Sequence, residues 1–542
     1  MKRTAAERYA QLSADRSIFL DTAWTCAELS IPHLLPRSGT ANGQRLITPW
    51  QTMGAKGVNV MASKLLLSLF PVNTNFFKLQ INDGEFVANP ELNAKIKSEI
   101  DLSLSRTERI ITQSIAESLD RVAILQGLKH LVCTGNVLLY LGKKGIKVYP
   151  LDRFVVVRDG EGNATEIVCV EAINRQFLPK EFREIPRDAG NHTGETGPSP
   201  STDVTVGEEE VAVYTHAKLI DGKWIWRQEA DGKLVPNTEG TASRDNSPWL
   251  PLRFNVVDGE DYGRGRIEEY LGDLKSLEGL MQAMVEGSAA AAKVVFLVSP
   301  SATVKPVDLA KARNGAMIQG RAEDVAVVQV DKRADFSTAY QMITQLTQRL
   351  SEAFLVLSVR QSERTTAEEI RATQQELNEQ LGGIYSVLTA ELVQPYLKRK
   401  LYTLERAKQI PPLPKGVVYP TVVAGIEGVG RGQDREALLR FTQTAMQMLG
   451  GEAMKYLNME EFIKRLAASE GIDALNLVKD QQQQQAEAQA AQQQQLTQEL
   501  VSQAGQFASS PMMDPEKNPA AMEMLMGGGQ MPAQPPQQQP NV

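Results

Sequence analysis

Residues 258–280 read DGEDYGRGRIEEYLGDLKSLEGL, and their reading decides the fold. A glycine- and acid-rich opening gives way at Arg266 to a helical stripe. Ile267, Tyr270, Leu271, Leu274, Leu277, Met281, Met284 and Val285 recur at helical spacing over about five turns. A short αβ patch follows, KVVFLVSPSATVKPVDLAKARNGAMIQGRAEDVAVVQV (293–330). A second helical stripe then runs from about 335 to 357, with Phe336, Tyr340, Ile343, Leu346, Leu350 and Phe354. Two helices of this length, each roughly 35–40 Å at 1.5 Å per residue, bracket a small module like the arms of a hairpin around its tip. The apolar strands of that module, VVFLV and VAVVQV, are too short to form a stable domain alone and should pair with another strand.

The second helix runs into FLVLSV (354–359) and then RQSERTT. Thr366 is placed to cap a third helix, and Glu369, three residues on, completes a capping box. Glu368 and Glu369 suit the positive end of the helix dipole. The plain reading of this acid is a capped surface helix spanning about 366–408. Arg360, Gln361, Ser362, Glu363, Arg364 and Thr365 form a polar link too charged to bury unpaired.

Upstream, residues 5–30 read as a helix closed by Pro32 and Pro36, and Met61–Phe70 as an apolar helix closed by Pro71. Residues 104–141 read as one long helical tract, whose later part, LKHLVCTGNVLLYLG, is apolar on most faces. His130 and Cys133 lie there as packed residues rather than ligands. From 143 to 257 the pattern is mainly β, interrupted by a Gly/Pro/Thr-rich loop, and Asp221-Gly222 marks a hairpin. Downstream, prolines at 411, 412, 414 and 420 break the chain before helical patterns at 434–450 and 456–469. The end is glutamine-rich, then Met/Pro/Gly/Gln-rich, a composition that cannot bury a core.

The 542 residues carry a net charge of −7, of which −4 falls beyond residue 480, so this is no basic DNA-gripping domain. Cys26, Cys133 and Cys169 form no metal or disulfide spacing, and the four histidines are dispersed. No apolar run is long enough to span a bilayer, and no membrane insertion is expected. GIEGVGRGQD (425–434) lacks the Gly-Lys-Ser/Thr ending of a phosphate loop, and no serine-hydrolase, zinc-protease or calcium motif occurs. No catalytic residue, metal or cofactor is expected.

Five blocks carry a resemblance: TPWQTMGAKGVNVMASKLLLSLFP (48–71), LVCTGNVLLYL (131–141), the 258–280 stretch, RTTAEEIRATQQELNEQLGGIYSVLTAEL (364–392) and GIEGVGRGQD. In order, from about residue 5 to about 475, they resemble the head-to-tail connector, or portal, family of T7-like short-tailed phages. Within 258–280, Tyr262, Gly263, Arg264, Glu268, Glu269, Tyr270, Gly272 and Asp273 carry the signature. The 183–208 loop and the glutamine-rich tail fall outside the resemblance.

The resemblance implies a mainly α fold with α+β modules that closes into a ring, usually of twelve copies. It implies a wing over 1–265, with a β-rich part at 143–257, a first stem helix at 266–292, a clip at 293–334 and a second stem helix at 335–357. A channel loop would occupy 358–365, a long wing helix and Pro-rich link 366–425 and a crown 426–475; beyond these, composition rather than resemblance marks 476–542 as a largely disordered tail. Lys305, Lys311, Arg313 and Arg321 would be basic residues of the clip. The implied partners are double-stranded viral DNA passing without sequence preference, the terminase large subunit, tail and adaptor proteins, scaffolding and major capsid proteins, and internal core proteins. The implied location is the portal vertex of the virion, with assembly in the host cytoplasm. Two other classes fit a motif-poor chain: a different virion structural or scaffold protein, and an enzyme such as a metal-dependent nuclease or a protease.

Overall fold

A computed structural model describes residues 4–37, 46–70, 90–142, 145–183, 210–291, 295–301, 305–313, 325–328, 333–356, 383–410 and 430–450, with a few isolated positions between them. The channel-loop residues Arg360–Thr365, the cap Thr366 and Glu369, the Pro-rich link, most of the 183–208 loop and the glutamine-rich tail lie outside the described residues. The chain divides into two compact units, Met1–Gln433 and Asp434–Val542.

The first unit opens with α1 (Ala5–Glu28). Thr4 caps it through a reciprocal capping box with Glu7, which satisfies donors that the first turn leaves orphaned. Its buried side carries Tyr9, Leu12, Arg16, Leu20, Ala23 and Cys26. The Arg16 guanidinium is fully buried and donates to Tyr9 Oη and to the carbonyls of Leu151 and Phe154, so the charge is solvated by protein oxygens rather than water. Three more helices follow: α2 (Met53–Leu69), α3 (Pro90–Glu117) and α4 (Asp120–Thr134). Met61, Leu65 and Leu66 of α2 and Ile124, Leu128 and Leu131 of α4 enter the same buried cluster.

The expected single helical tract over 104–141 is corrected twice. The chain breaks between α3 and α4 at Ser118 and Leu119, and α4 stops at Gly135, whose φ of +79° suits a helix terminus better than any side-chain-bearing residue would. Asn136–Gly142 is then a strand, β1, so the β-rich part of the unit begins before residue 143. Its run VLLYL is buried on both faces and therefore shows no alternation to read. β1 lies between β2 (Gly145–Tyr149) and β9 (Trp249–Arg253), antiparallel to both.

A second antiparallel sheet takes the order β3 (Phe154–Arg158), β4 (Ala164–Asn174), β5 (Glu210–Ile220), β6 (Lys223–Ala230) and β7 (Lys233–Leu234), with β8 (Gly240–Ser243) also paired to β6. The hairpin expected at Asp221-Gly222 joins β5 to β6, with φ of 49° and 74° at its two central residues. Asp231-Gly232 repeats that geometry between β6 and β7. The N-terminal half of α1 seals one face of this sheet, packing Tyr9 and Leu12 against Val155, Val168, Val170 and Tyr214.

After a short α5 (Arg266–Glu269), the long α6 (Leu271–Ala291) leads to a ribbon of β10 (Val295–Val298) and β11 (Val325–Val328), with α7 (Pro306–Lys311) between the two strands. The two strands pair with each other in register, Phe296 opposite Val327, so each finds within its own chain the partner strand that its shortness calls for. The long α8 (Arg333–Ala353) returns antiparallel along α6. It ends four residues short of the expected 357, and Leu355 turns the chain with a φ of +56°.

Residues 383–388 are helical, a π-helical turn occupies Thr389–Val393, and α9 (Gln394–Arg406) completes the first unit. The helix α10 (Gly430–Leu449) begins in the last residues of the first unit, and its part from Asp434 onward is most of what is described of the second. Among the described residues no helix is long and apolar enough to cross a membrane, and no cluster of metal-ligating side chains occurs.

Candidate functional site

The 258–280 stretch forms the joint between the globular body and the α6–α8 hairpin. Its approach is fixed by backbone contact. Asn255 and Arg264 form an antiparallel bridge, and the Phe254 amide donates to the carbonyl of Gly135 at 3.0 Å. The buried Asn136 side chain then grips the peptide of Gly263 from both sides: Nδ2 donates to its carbonyl and Oδ1 accepts from its amide, each at 2.7 Å. A Cβ on Gly263 would lie 2.8 Å from Cβ of Arg253, and one on Gly265 would lie 2.8 Å from the carbonyl of Cys133. The glycines of YGRG are thus set by close approach of the helix-to-strand turn at Gly135, not by a ligand.

The charged members of the signature neutralise one another. Arg264 donates to Glu260 at 2.6 Å and to Glu268 at 2.8 Å, while its guanidinium lies 4.7 Å from the centre of the Phe19 ring on α1. The hydrogen bond to Glu260 holds Arg264 more firmly in its charged form, and the same contact lowers the pKa of Glu260. Tyr262 is buried, its ring 5.3 Å from Phe19, and it accepts from the amide of Val156; burial pushes its phenol up to about 12. Glu269 pairs with Arg266 at 2.5 Å.

Further along, the joint reaches the hairpin itself. Tyr270 packs edge-on against Phe354 with 5.6 Å between ring centres, and Arg266 reaches the carbonyl of Ala353. Phe354 is fully buried against Gly57 of α2, where a Cβ would come within 2.6 Å of its ring. Asp273 receives Arg349 from across the hairpin, and Glu278 accepts the amides of Trp50 and Gln51 at 2.9 and 3.1 Å. Seven of the eight signature residues therefore meet at one joint. Gly272 does not, since a Cβ there meets nothing within 4 Å.

Sequence reasoning missed the non-local half of the joint: Asn136, Phe354, Glu278 and the pair Arg253–Glu391. Arg253 donates to Glu391 through Nη2 at 2.6 Å and through Nε at 3.1 Å, and its own amide adds a third bond to the same carboxylate at 3.0 Å. Glu391 lies in the π-helical turn, so that irregularity stands where the last helical segment is pinned to the edge of β9. Beside it, Arg158 donates to the carbonyls of Asp261, Gly162 and Pro251, and burial lowers its pKa to about 10.

The far end of the hairpin is built differently. Lys305, Lys311, Arg313 and Arg321 are all exposed, as are Leu297, Val307 and Met317. His130 and Cys133 are buried, as expected of packed residues; burial lowers the histidine to about 4 and raises the thiol to about 12.

A model of the bacteriophage head to tail connecting protein family matches residues 2–477. The portal protein of Escherichia phage T7 is 37% identical over 491 residues, covering 88% of each chain. The portal protein of Enterobacteria phage SP6 is 30% identical over 439 residues, 80% of this chain and 81% of that one. Among solved structures, a chain from the neck of an empty gene transfer agent particle aligns with a TM-score of 0.35 at 10% identity, covering 78% of this chain and 91% of that one. The chain belongs to the bacteriophage head-to-tail connecting proteins, the portal family of T7-like phages.

Proposed function

We propose that this chain is the subunit of a closed ring, of twelve copies, at one vertex of the capsid. Double-stranded DNA passes through its centre, driven in by the terminase large subunit and released later towards the tail. Tail and adaptor proteins dock on its outer end, and scaffolding, major capsid and internal core proteins meet it during assembly in the host cytoplasm. The role is structural rather than catalytic. The observation that carries the reading is family membership over residues 2–477, joined to a helical hairpin locked at one end and open at the other.

In this reading residues 1–265 are the wing, α6 and α8 the two stem helices, 293–334 the clip and 358–365 the channel loop, with 366–425 returning to the wing, 426–475 the crown and 476–542 a tail. Long paired helices repeated about an axis suit a heterologous interface that closes on itself. The exposed clip residues Lys305, Lys311, Arg313 and Arg321 suit docking. A chain with net charge −7 suits a duct, because each phosphate contact in the bore would add affinity and slow the DNA. In the bore, Arg360, Gln361, Ser362, Glu363, Arg364 and Thr365 would present alternating belts of charge, with Thr366 and Glu369 starting the next helix.

Native mass spectrometry with negative-stain imaging tests the ring: a closed particle with a central hole is expected, and a monomer or dimer would refute it. Charge reversal at Arg360 and Arg364 tests the loop. Intact rings with altered DNA entry or retention, weakening as salt rises, are expected. Unaltered packaging and ejection would place the loop outside the bore.

A further inference from the structure

In QPYLKRKLYTLERAK (394–408), five basic residues stand against the single acid Glu405, in a chain that is acidic as a whole. One of these cations is matched internally. Lys400 lies 3.0 Å from Asp120 Oδ2, which also accepts from Tyr396 Oη at 2.8 Å. Arg399 and Arg406 are not matched: among the described residues neither has a carboxylate partner. Arg399 spends one donor on the carbonyl of Asn246 at 3.0 Å, and its Nε is buried without a partner. Its guanidinium lies 5.5 Å from the centre of the Tyr402 ring. Burial lowers its pKa, and the like charge of Arg406 lowers it further.

Trp249, 4% exposed, leaves its Nε1 unpartnered and stacks on Tyr140 at 4.3 Å between ring centres. Tyr140 in turn feels the charge of Arg399. Positions 399, 402 and 406 fall on one face of α9, spaced three, four and seven residues apart. Two guanidinium groups without a carboxylate partner among the described residues thus share a helix face with Tyr402, and Tyr140 lies within the field of Arg399; their shared chemistry is recognition of an anion. The cations are strung along the helix, Arg399 and Arg406 about 10 Å apart by helical rise. That spread suits a line of phosphates better than a single carboxylate. Guanidinium groups also match phosphate oxygens in a bidentate fork and stack on aromatic faces.

We propose that the face of α9 bearing Arg399, Tyr402 and Arg406 binds the phosphate backbone of double-stranded DNA outside the channel loop. The inference rests on the reading of the chain as a DNA-handling portal subunit, but not on the assignment of the bore. It gives the body of the protein a DNA-contacting surface of its own.

The test is fluorescence anisotropy of the full chain with a short labelled duplex across a salt series, with particle mass and melting temperature recorded for each variant. Arg406 and Tyr402 are exposed, so Arg406→Gln and Tyr402→Ala should melt with the parent. Arg406→Gln should weaken duplex binding roughly fivefold and reduce the slope of log affinity against log salt by about 0.9, the loss of one phosphate contact. Arg406→Lys should restore most of that slope. A parent chain that does not bind the duplex, or an Arg406→Gln slope equal to the parent's, would overturn the proposal. So would loss of the ring with duplex affinity unchanged, because it would assign the cations to a carboxylate of a second copy. A parent chain that forms no ring would refute the portal reading alone, since the slope is readable in any oligomeric state.

Discussion

The two ends of the α6–α8 hairpin are built on opposite terms. At the base, Gly263 is held from both sides by Asn136, Arg264 by two glutamates, and Asp273 and Glu278 are engaged by Arg349 and by backbone amides. At the tip, Leu297 on a two-stranded ribbon and the lysines and arginines between its strands are exposed. Polar groups are spent internally where position must be exact and left free where another surface can use them. A two-stranded ribbon has two open edges and little apolar cover, so it is marginal without a partner. Substitutions at the base should therefore be felt as stability, and substitutions at the tip as association.

The sharpest way to break the contrast is at the glycines. Gly265→Ala places a methyl 2.8 Å from the carbonyl of Cys133 and 2.9 Å from the amide of Gly135, both backbone atoms that cannot rotate away. A loss of about 3 kcal/mol is expected, read as a lower urea midpoint at unchanged slope. Gly272→Ala, only seven residues on and facing open space, should be neutral or stabilising by up to about 0.5 kcal/mol. Equal effects at the two positions would remove the argument that close approach selects the signature glycines.

The next largest effect belongs to Arg253 and Glu391. Arg253 is mostly buried, and its guanidinium and amide together place three hydrogen bonds on one carboxylate. Glu391→Gln leaves a buried guanidinium without its counter-charge, at a cost of about 3 kcal/mol. Replacing both partners with apolar residues of similar size should recover much of that loss. A double variant as unstable as the single one would show that packing, not charge, fixes the π-helical turn.

A smaller, pH-dependent effect tests how α1 is anchored. Glu166 on β4 accepts from Arg8 at 2.8 Å and from His216 at 2.7 Å. The carboxylate is ionised and can only accept, so His216 Nε2 carries the proton. The His216 bond, followed by Arg8, lowers the Glu166 pKa from 4.5 to about 2. Because the folded value lies below the unfolded one, this stabilisation is complete above about pH 4.5 and is lost as pH falls towards 2. About 2 kcal/mol is expected after allowance for solvent screening. Glu166→Gln should flatten that part of the stability–pH curve, and a variant whose curve still tracks the parent would place the acid sensitivity elsewhere.

Much of this architecture was legible. The boundaries of α1, the Asp221-Gly222 hairpin and the helix–module–helix order all follow from local signals: proline stops, turn residues and a helical stripe. The strand Asn136–Gly142 was not legible, because burial on both faces removes the alternation that distinguishes strand from helix. Only Gly135-Asn136 marked the change, and a single glycine inside an apolar tract is weak punctuation. The site divided in the same way. The signature could be picked out as a block, but its meaning lies in partners far along the chain, with Asn136 127 residues from Gly263 and Glu391 138 residues from Arg253. Spacing carries no trace of such contacts. Nor did composition foretell that, among the described residues, the arginines of α9 lack a carboxylate, because Lys398, Arg399 and Lys400 look alike until Asp120 is seen to pair with Lys400.

The smallest effect on folding should come from the tip, and it separates a self-sufficient module from a docking surface. Leu297 is 55% exposed on β10, opposite Ala326 in the ribbon. If the ribbon belonged to a domain with its own core, Leu297→Lys would cost what a core substitution costs, several kcal/mol. An exposed site on an open edge should instead change the melting free energy of the isolated chain by less than about 0.5 kcal/mol. The charge would still oppose any apolar surface laid against that strand, because a lysine is costly to bury unpaired. The expected outcome is an unchanged urea midpoint for the monomer together with a shift in particle mass or, if the proposed docking at the tip holds, weaker capture by the proposed partner. A variant that melts early would make the tip part of the core and erase its difference from the base. One that melts, assembles and docks like the parent would leave the ribbon's exposed face without a partner, and the contrast would then rest on the base alone.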